Sequence, residues 1–178
     1  SKNFIKKVKP FKIEELRVVG VDGGMVKRSF HGIDLIAVRA CSVLFEYKNG
    51  KLVNAEYHPS EIPKTKVILS YDPLSELELN WESGFLRQIE EIKVAKEAVK
   101  KWKPDFLLLD GSIIPHYTEI PLKGKLSQQY ENLLEAYKNL FNSVGQTKLV
   151  GIVKDSRGTR FCELVSKKPI PLEFKPLL

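Results

Sequence analysis

Arg17-Val18-Val19-Gly20-Val21-Asp22-Gly23-Gly24 and Phe106-Leu107-Leu108-Leu109-Asp110-Gly111-Ser112 share one pattern: a strongly apolar run, then aspartate, then glycine. A run of Val or Leu bounded by turn signals reads as a buried strand in a sheet covered on its faces. Each aspartate falls where its strand leaves the core, and the glycine that follows lets the chain turn there and lets backbone approach a ligand. On neighbouring strands the two carboxylates converge at one sheet edge. Their repulsion is relieved most simply by a divalent cation, and hard cations prefer carboxylate oxygen. One Asp-Gly is a common turn pair; two after buried strands point to a site.

Working outward, residues 1–16 read as a basic arm with a short helix, residues 17–168 as one domain, and 169–178 as an apolar, proline-broken segment leading to further chain or to a partner. Gly23–Gly32 reads as a basic loop carrying Lys27, Arg28 and His31. Strands follow at Ile33–Tyr47, Leu52–Tyr57 and Lys66–Ser70, with a hairpin turn at 48–51. Asp72–Glu82 reads as an acidic loop. Ile89, Ile92, Ala95, Val99 and Trp102 share one face of a helix over Phe85–Lys103, ended by Pro104. Ser127 is the expected N-cap of a second helix, Gln128–Asn142, with Leu133, Leu134, Tyr137 and Phe141 inward. A last strand is expected at Thr147–Val153. A β-meander followed by helix, strand, helix, strand is the order of the ribonuclease-H-like fold, an α/β class with a mixed sheet and flanking helices.

A third acid is expected from the long helix. Glu91 shares a face with Ala95, Ala98 and Trp102, whose two alanines permit close approach to the sheet, whereas Glu90 lies on the flank of Val94, Glu97 and Lys101; the choice is Glu91. Asp155 repeats the strand-then-acid form and is a fourth candidate. The expected catalytic set is thus Asp22, Glu91, Asp110 and Asp155, with Asp22, Asp110 and Glu91 as metal ligands. Lys27, Arg28, Lys154, Arg157 and Arg160 are the expected phosphate contacts.

The 178 residues carry 29 Lys and Arg against 22 Asp and Glu, a formal charge of +7 that suits an anionic partner, DNA first. The chain is rich in Lys and Glu, as thermophile surfaces are. No run approaches the ~20 apolar residues of a membrane span. Cys41 and Cys162 lie in apolar runs without metal-ligand spacing, and read as reduced thiols of a cytoplasmic protein. His31, His58 and His116 share no spacing that suggests zinc, and no GxSxG, HExxH or P-loop motif occurs.

Taken with the helix segment Arg87-Gln88-Ile89-Glu90-Glu91-Ile92-Lys93-Val94-Ala95 and with Val150-Gly151-Ile152-Val153-Lys154-Asp155-Ser156, the two strand-Asp-Gly stretches resemble the NurA nucleases of archaea and some bacteria. The resemblance runs from about residue 17 to residue 160. It implies a ribonuclease-H-like fold and Mn2+-dependent (or Mg2+-dependent) cleavage of DNA, 5′ to 3′ from ends and within single strands. It also implies a role in end resection during double-strand break repair, a homodimer, and a hexameric ATPase partner of the HerA type. Asp22 and Asp110 match its metal-binding aspartates and Glu91 its helix glutamate. NurA proteins are usually longer, with acidic and His residues near the C-terminus that serve the same metal site. No counterpart stands here, so the expectation is a fragment or a shortened member. The competing readings are a catalytically incomplete dimerising adaptor of a DNA-translocating ATPase, and one lobe of an actin/hexokinase-type sugar kinase.

Overall fold

A computed structural model describes residues 9, 13–114 and 124–154 of the chain. The element order is β1 (Glu15–Phe30), β2 (Ile33–Lys48), β3 (Lys51–His58), β4 (Lys66–Ser70), α1 (Glu76–Trp102), β5 (Phe106–Asp110), α2 (Lys125–Phe141) and β6 (Lys148–Ile152). The main path of the sheet runs β3-β2-β1-β5-β6, and β4 pairs with the first half of β2. The first three strands are antiparallel, whereas β5 runs parallel to both β1 and β6. A meander whose first strand lies centrally and takes its next neighbour in parallel through a helix is the ribonuclease-H-like arrangement.

Strand alternation sorts the sheet into two faces. Val19, Val21, Leu44, Leu107 and Leu109 project toward α1 and α2 and meet Ile92, Ala95, Ala98, Val99, Leu133 and Leu140 in the main core. Each fully buried Val or Leu of this set contributes about 1.5–3 kcal/mol. A second cluster packs Ile36 and Val38 of β2 on Leu79 near the start of α1.

Four expectations need correction. Residues 23–30 are not a loop: β1 pairs with β2 without interruption from Glu15 to Phe30, and the turn comes at His31-Gly32, where Gly32 has φ +83°. Gly23 and Gly24 are not among the positive-φ glycines, so the Gly-Gly pair is strand, and Asp22 lies within β1 rather than at its end. The second correction is the start of α1 at Glu76 inside the supposed acidic loop. Ser75 caps the helix, its side chain accepting from the Glu78 N–H while the Glu78 carboxylate accepts from the Ser75 N–H. Third, α2 starts at Lys125 after Gly124, with no side-chain cap, instead of after Ser127. Fourth, its inward face is Leu126, Leu133, Tyr137 and Leu140, so that Leu134 and Phe141 stand at the surface, 42% and 43% exposed. The arm over 1–16 lies mostly outside the described residues, as does the segment from 169 onward. Among the described residues no helix is long and apolar enough to cross a membrane.

Ser75→Ala removes one half of the cap and is expected to cost about 1 kcal/mol. In a chain of this length that lowers the melting midpoint by about 2–4 °C, read by thermal denaturation; an unchanged midpoint would show that the cap does not hold the first turn.

Candidate active site

In the parallel ladder between β1 and β5, Val21 stands opposite Leu109. Asp22 and Asp110 are therefore the next residues on two strands that lie about 4.8 Å apart. Both side chains leave the sheet on the face away from the helices, where they border a cavity of about 420 Å³ floored by Gly20, Val43, Phe45 and Leu108. The β1–β5 pairing ends just before them, and past Asp22 the strand keeps only β2 as its neighbour.

Two glycines shape the turn beneath Asp110. Gly111 has φ +94°, a left-handed conformation that only glycine adopts readily, and its N–H donates to the Ile152 carbonyl at 2.9 Å. Opposite Leu109 on β6, a Cβ on Gly151 would meet the Gly111 oxygen at 2.5 Å. The bare Gly151 thus gives the turn its room.

Glu91 approaches from the helix side and is buried, with 8% of its surface exposed. A Cβ on Gly23 would meet the Glu91 Cγ and Oε1 at 2.6 Å, so the carboxylate lies directly against the helix side of β1 at the residue after Asp22. Glu90, one residue earlier, lies on the flank of the helix and faces Lys93 at 3.7 Å. Arg87, one turn before Glu91, donates from Nη1 to Oε1 at 2.6 Å. Burial raises the Glu91 carboxyl most; the Arg87 guanidinium lowers it, the charges of Asp22 and Asp110 raise it again, and the result is a pKa of about 7. Beside it, the Tyr137 phenol is pushed up to about 12, first by burial and then by the Glu91 charge, and stays protonated.

The remaining expected residues divide. Lys154 reaches back over the sheet edge and its Nζ lies 3.1 Å from Asp110 Oδ1. Arg28 shares the open face of β1 with Asp22, but Lys27 points to the helix-bearing face, because successive residues of an unbroken strand alternate. Asp155, Arg157 and Arg160 lie outside the described residues. Arg87 was not among the expected residues, although its i,i+4 spacing to Glu91 is readable, and neither was Arg39, which only the β1–β2 register brings near Asp22. Among the described residues, no three His, Cys, Asp or Glu side chains gather at metal-binding distance: Glu91 is held by Arg87 and Asp110 by Lys154.

The raised pKa of Glu91 sets the sign of a stability change. The fold favours the protonated form, so this contribution is complete below the ordinary value of 4.5 and is lost as pH rises through about 7. The shift corresponds to about 3 kcal/mol. Glu91→Gln has no proton to lose. In EDTA its melting midpoint should match wild type near pH 4 and exceed it at pH 8; parallel pH profiles would show that Glu91 ionises in the fold without cost.

The NurA domain pattern matches residues 16–176. Among solved structures, the NurA nuclease from Sulfolobus solfataricus is 19% identical and superposes with a TM-score of 0.51 over 84% of this chain and 51% of its own. A NurA bound to dAMP and manganese is 12% identical, with a TM-score of 0.42 over 92% of this chain and 40% of its own. Endonuclease V of Ciona intestinalis, in complex with a 24mer DNA, is 17% identical, with a TM-score of 0.36 over 92% of this chain and 56% of its own. A search of curated proteins gave no significant match. The chain spans about half the length of the Sulfolobus protein, yet the domain pattern covers β1, α1, β5 and β6, the elements that position the two aspartates and the glutamate, and the chain belongs to the NurA family.

Proposed function

We propose that this chain carries the catalytic core of a NurA-type nuclease that hydrolyses DNA phosphodiesters with a divalent cation held by Asp22, Asp110 and Glu91. The observation that carries the reading is the register of β1 and β5, which sets two aspartates side by side, with a buried glutamate whose proton affinity both of them raise. The three carboxylates would offer a hard-oxygen donor set, and Arg87 and Lys154 place positive charge beside two of them. Bound there, Mn2+ or Mg2+ would supply Lewis acidity at the phosphate and lower the pKa of an attacking water.

The chain's own groups then have separate tasks. Asp22 accepts a 2.9 Å hydrogen bond from the Gly23 N–H on Oδ1, and its Oδ2 would serve as the cation ligand. Glu91, its carboxyl pKa raised to about 7 by burial, would offer its carboxylate to a bound cation. Lys154 and Arg28 supply positive charge toward the phosphates of the strand. Cleavage from ends with 5′ to 3′ polarity, end resection, a homodimer and a HerA-type translocase partner belong to the same proposal and rest on the family.

The two ion pairs that occupy Glu91 and Asp110 favour a second reading, a catalytically silent adaptor of a DNA motor. One experiment separates the two. With a labelled DNA and Mn2+, wild type should cleave, and Asp22→Asn and Asp110→Asn should each lose at least ~100-fold in rate, about 2.7 kcal/mol of barrier, with unchanged melting. No cleavage by wild type, or cleavage undiminished in both variants, would favour the adaptor.

A further inference from the structure

Beyond the carboxylates, the open face of β1 continues toward the hairpin. Asp22, Gly24, Val26, Arg28 and Phe30 alternate onto that face along roughly 27 Å of strand. Arg39 of β2 stands opposite Gly24, the next pair on that face after Asp22 and Cys41. Open space lies over Gly24, and Arg39, Gly24 and Asp22 border one cleft of about 360 Å³ with Glu61 on its rim. Arg28 and Arg39 are both exposed, and neither forms an ion pair among the described residues. At the far end Phe30 is 59% exposed.

We propose that this face of the β1–β2 ribbon is a track for one extended DNA strand: Arg39 holds the phosphate next to the carboxylates, Arg28 holds one farther along, and the Phe30 ring stacks on a base. The track rests on the nuclease reading above and names the residues along which a single strand would lie. Two guanidiniums in line with the carboxylates suit a polyanion, and guanidinium recognises phosphate by paired donors. A charged groove with an aromatic ring is how single strands are held. A duplex carries its two backbones across a groove about 12 Å wide, which a single line of cations does not follow. Val26 of β1 and Val67 of the neighbouring β4 are exposed, 58% and 57%, and add apolar floor under sugars and bases.

Lys27 provides the control, with the same charge on the neighbouring residue and the opposite face. In EDTA, where no cleavage occurs, anisotropy of a labelled oligo-dT reports affinity against salt. Arg28→Ala and Arg39→Ala should each weaken binding several-fold and reduce the slope of log K against log salt by about 0.7. Phe30→Ser should weaken binding with the slope unchanged, Lys27→Ala should match wild type, and wild type should bind a duplex of equal length more weakly. Arginine variants with the wild-type slope, a Lys27→Ala variant as impaired as they are, or equal binding of the duplex would overturn the track alone. So would intact DNA binding with altered self-association in sedimentation, which would make the face a protein contact. A wild type that neither binds DNA nor cleaves it with Mn2+ would overturn the nuclease reading and the track with it.

Discussion

Four pairs of parallel ladder, Val18–Val21 against Phe106–Leu109, carry the rest of the structure. A parallel pair needs a crossover, and α1 supplies it, burying Ile92, Ala95, Ala98 and Val99 against the same strands. Because the side-chain period of a strand is two, a slip of one residue in this register would turn one aspartate into the core and leave the other outside. The packing of Val19, Val21, Leu107 and Leu109 is therefore also what holds the two carboxylates together. Core and site are fixed by one interaction.

The site sits under electrostatic tension. Glu91 is buried against bare backbone at Gly23, beside two aspartates, and pays for that position in proton affinity. Arg87 offsets part of the cost from one turn away, and Lys154 screens Asp110 from the end of β6. The Lys154 pair is mostly exposed, 71% on the lysine side, and such pairs contribute no more than about 1 kcal/mol. A cation at the carboxylates would displace it readily. The arrangement is less stable than a neutral one would be, which is the cost expected of the cation site proposed for it.

What was legible in the sequence was what depends on local pattern. The two strand-Asp-Gly stretches, the hairpin at 48–51, and the helical face of Ile89 through Trp102 each follow from period and turn chemistry, and the phase that favours Glu91 over Glu90 follows from the same face. The extension of β1 through Gly23-Gly24 was not legible. A glycine pair signals a turn in isolation, and here cross-strand pairing with a long β2 overrides it. The start of α1 was legible but unread, since Ser75 and Glu78 carry the spacing of a capping box. Arg39 opposite Gly24, and Lys154 on Asp110, depend on register and on where β6 ends. No local pattern announces either.

The central claim is that the β1–β5 register builds a cation site from Asp22 and Asp110. Titration of Mn2+ into the protein, followed by the electron paramagnetic resonance signal of the free ion, measures that directly and without any substrate. The account predicts that wild type removes Mn2+ from solution at pH 7.5, and that Asp22→Asn and Asp110→Asn each leave the free signal nearly intact while keeping the fold. Uptake of Mn2+ by both variants equal to that of wild type would contradict it.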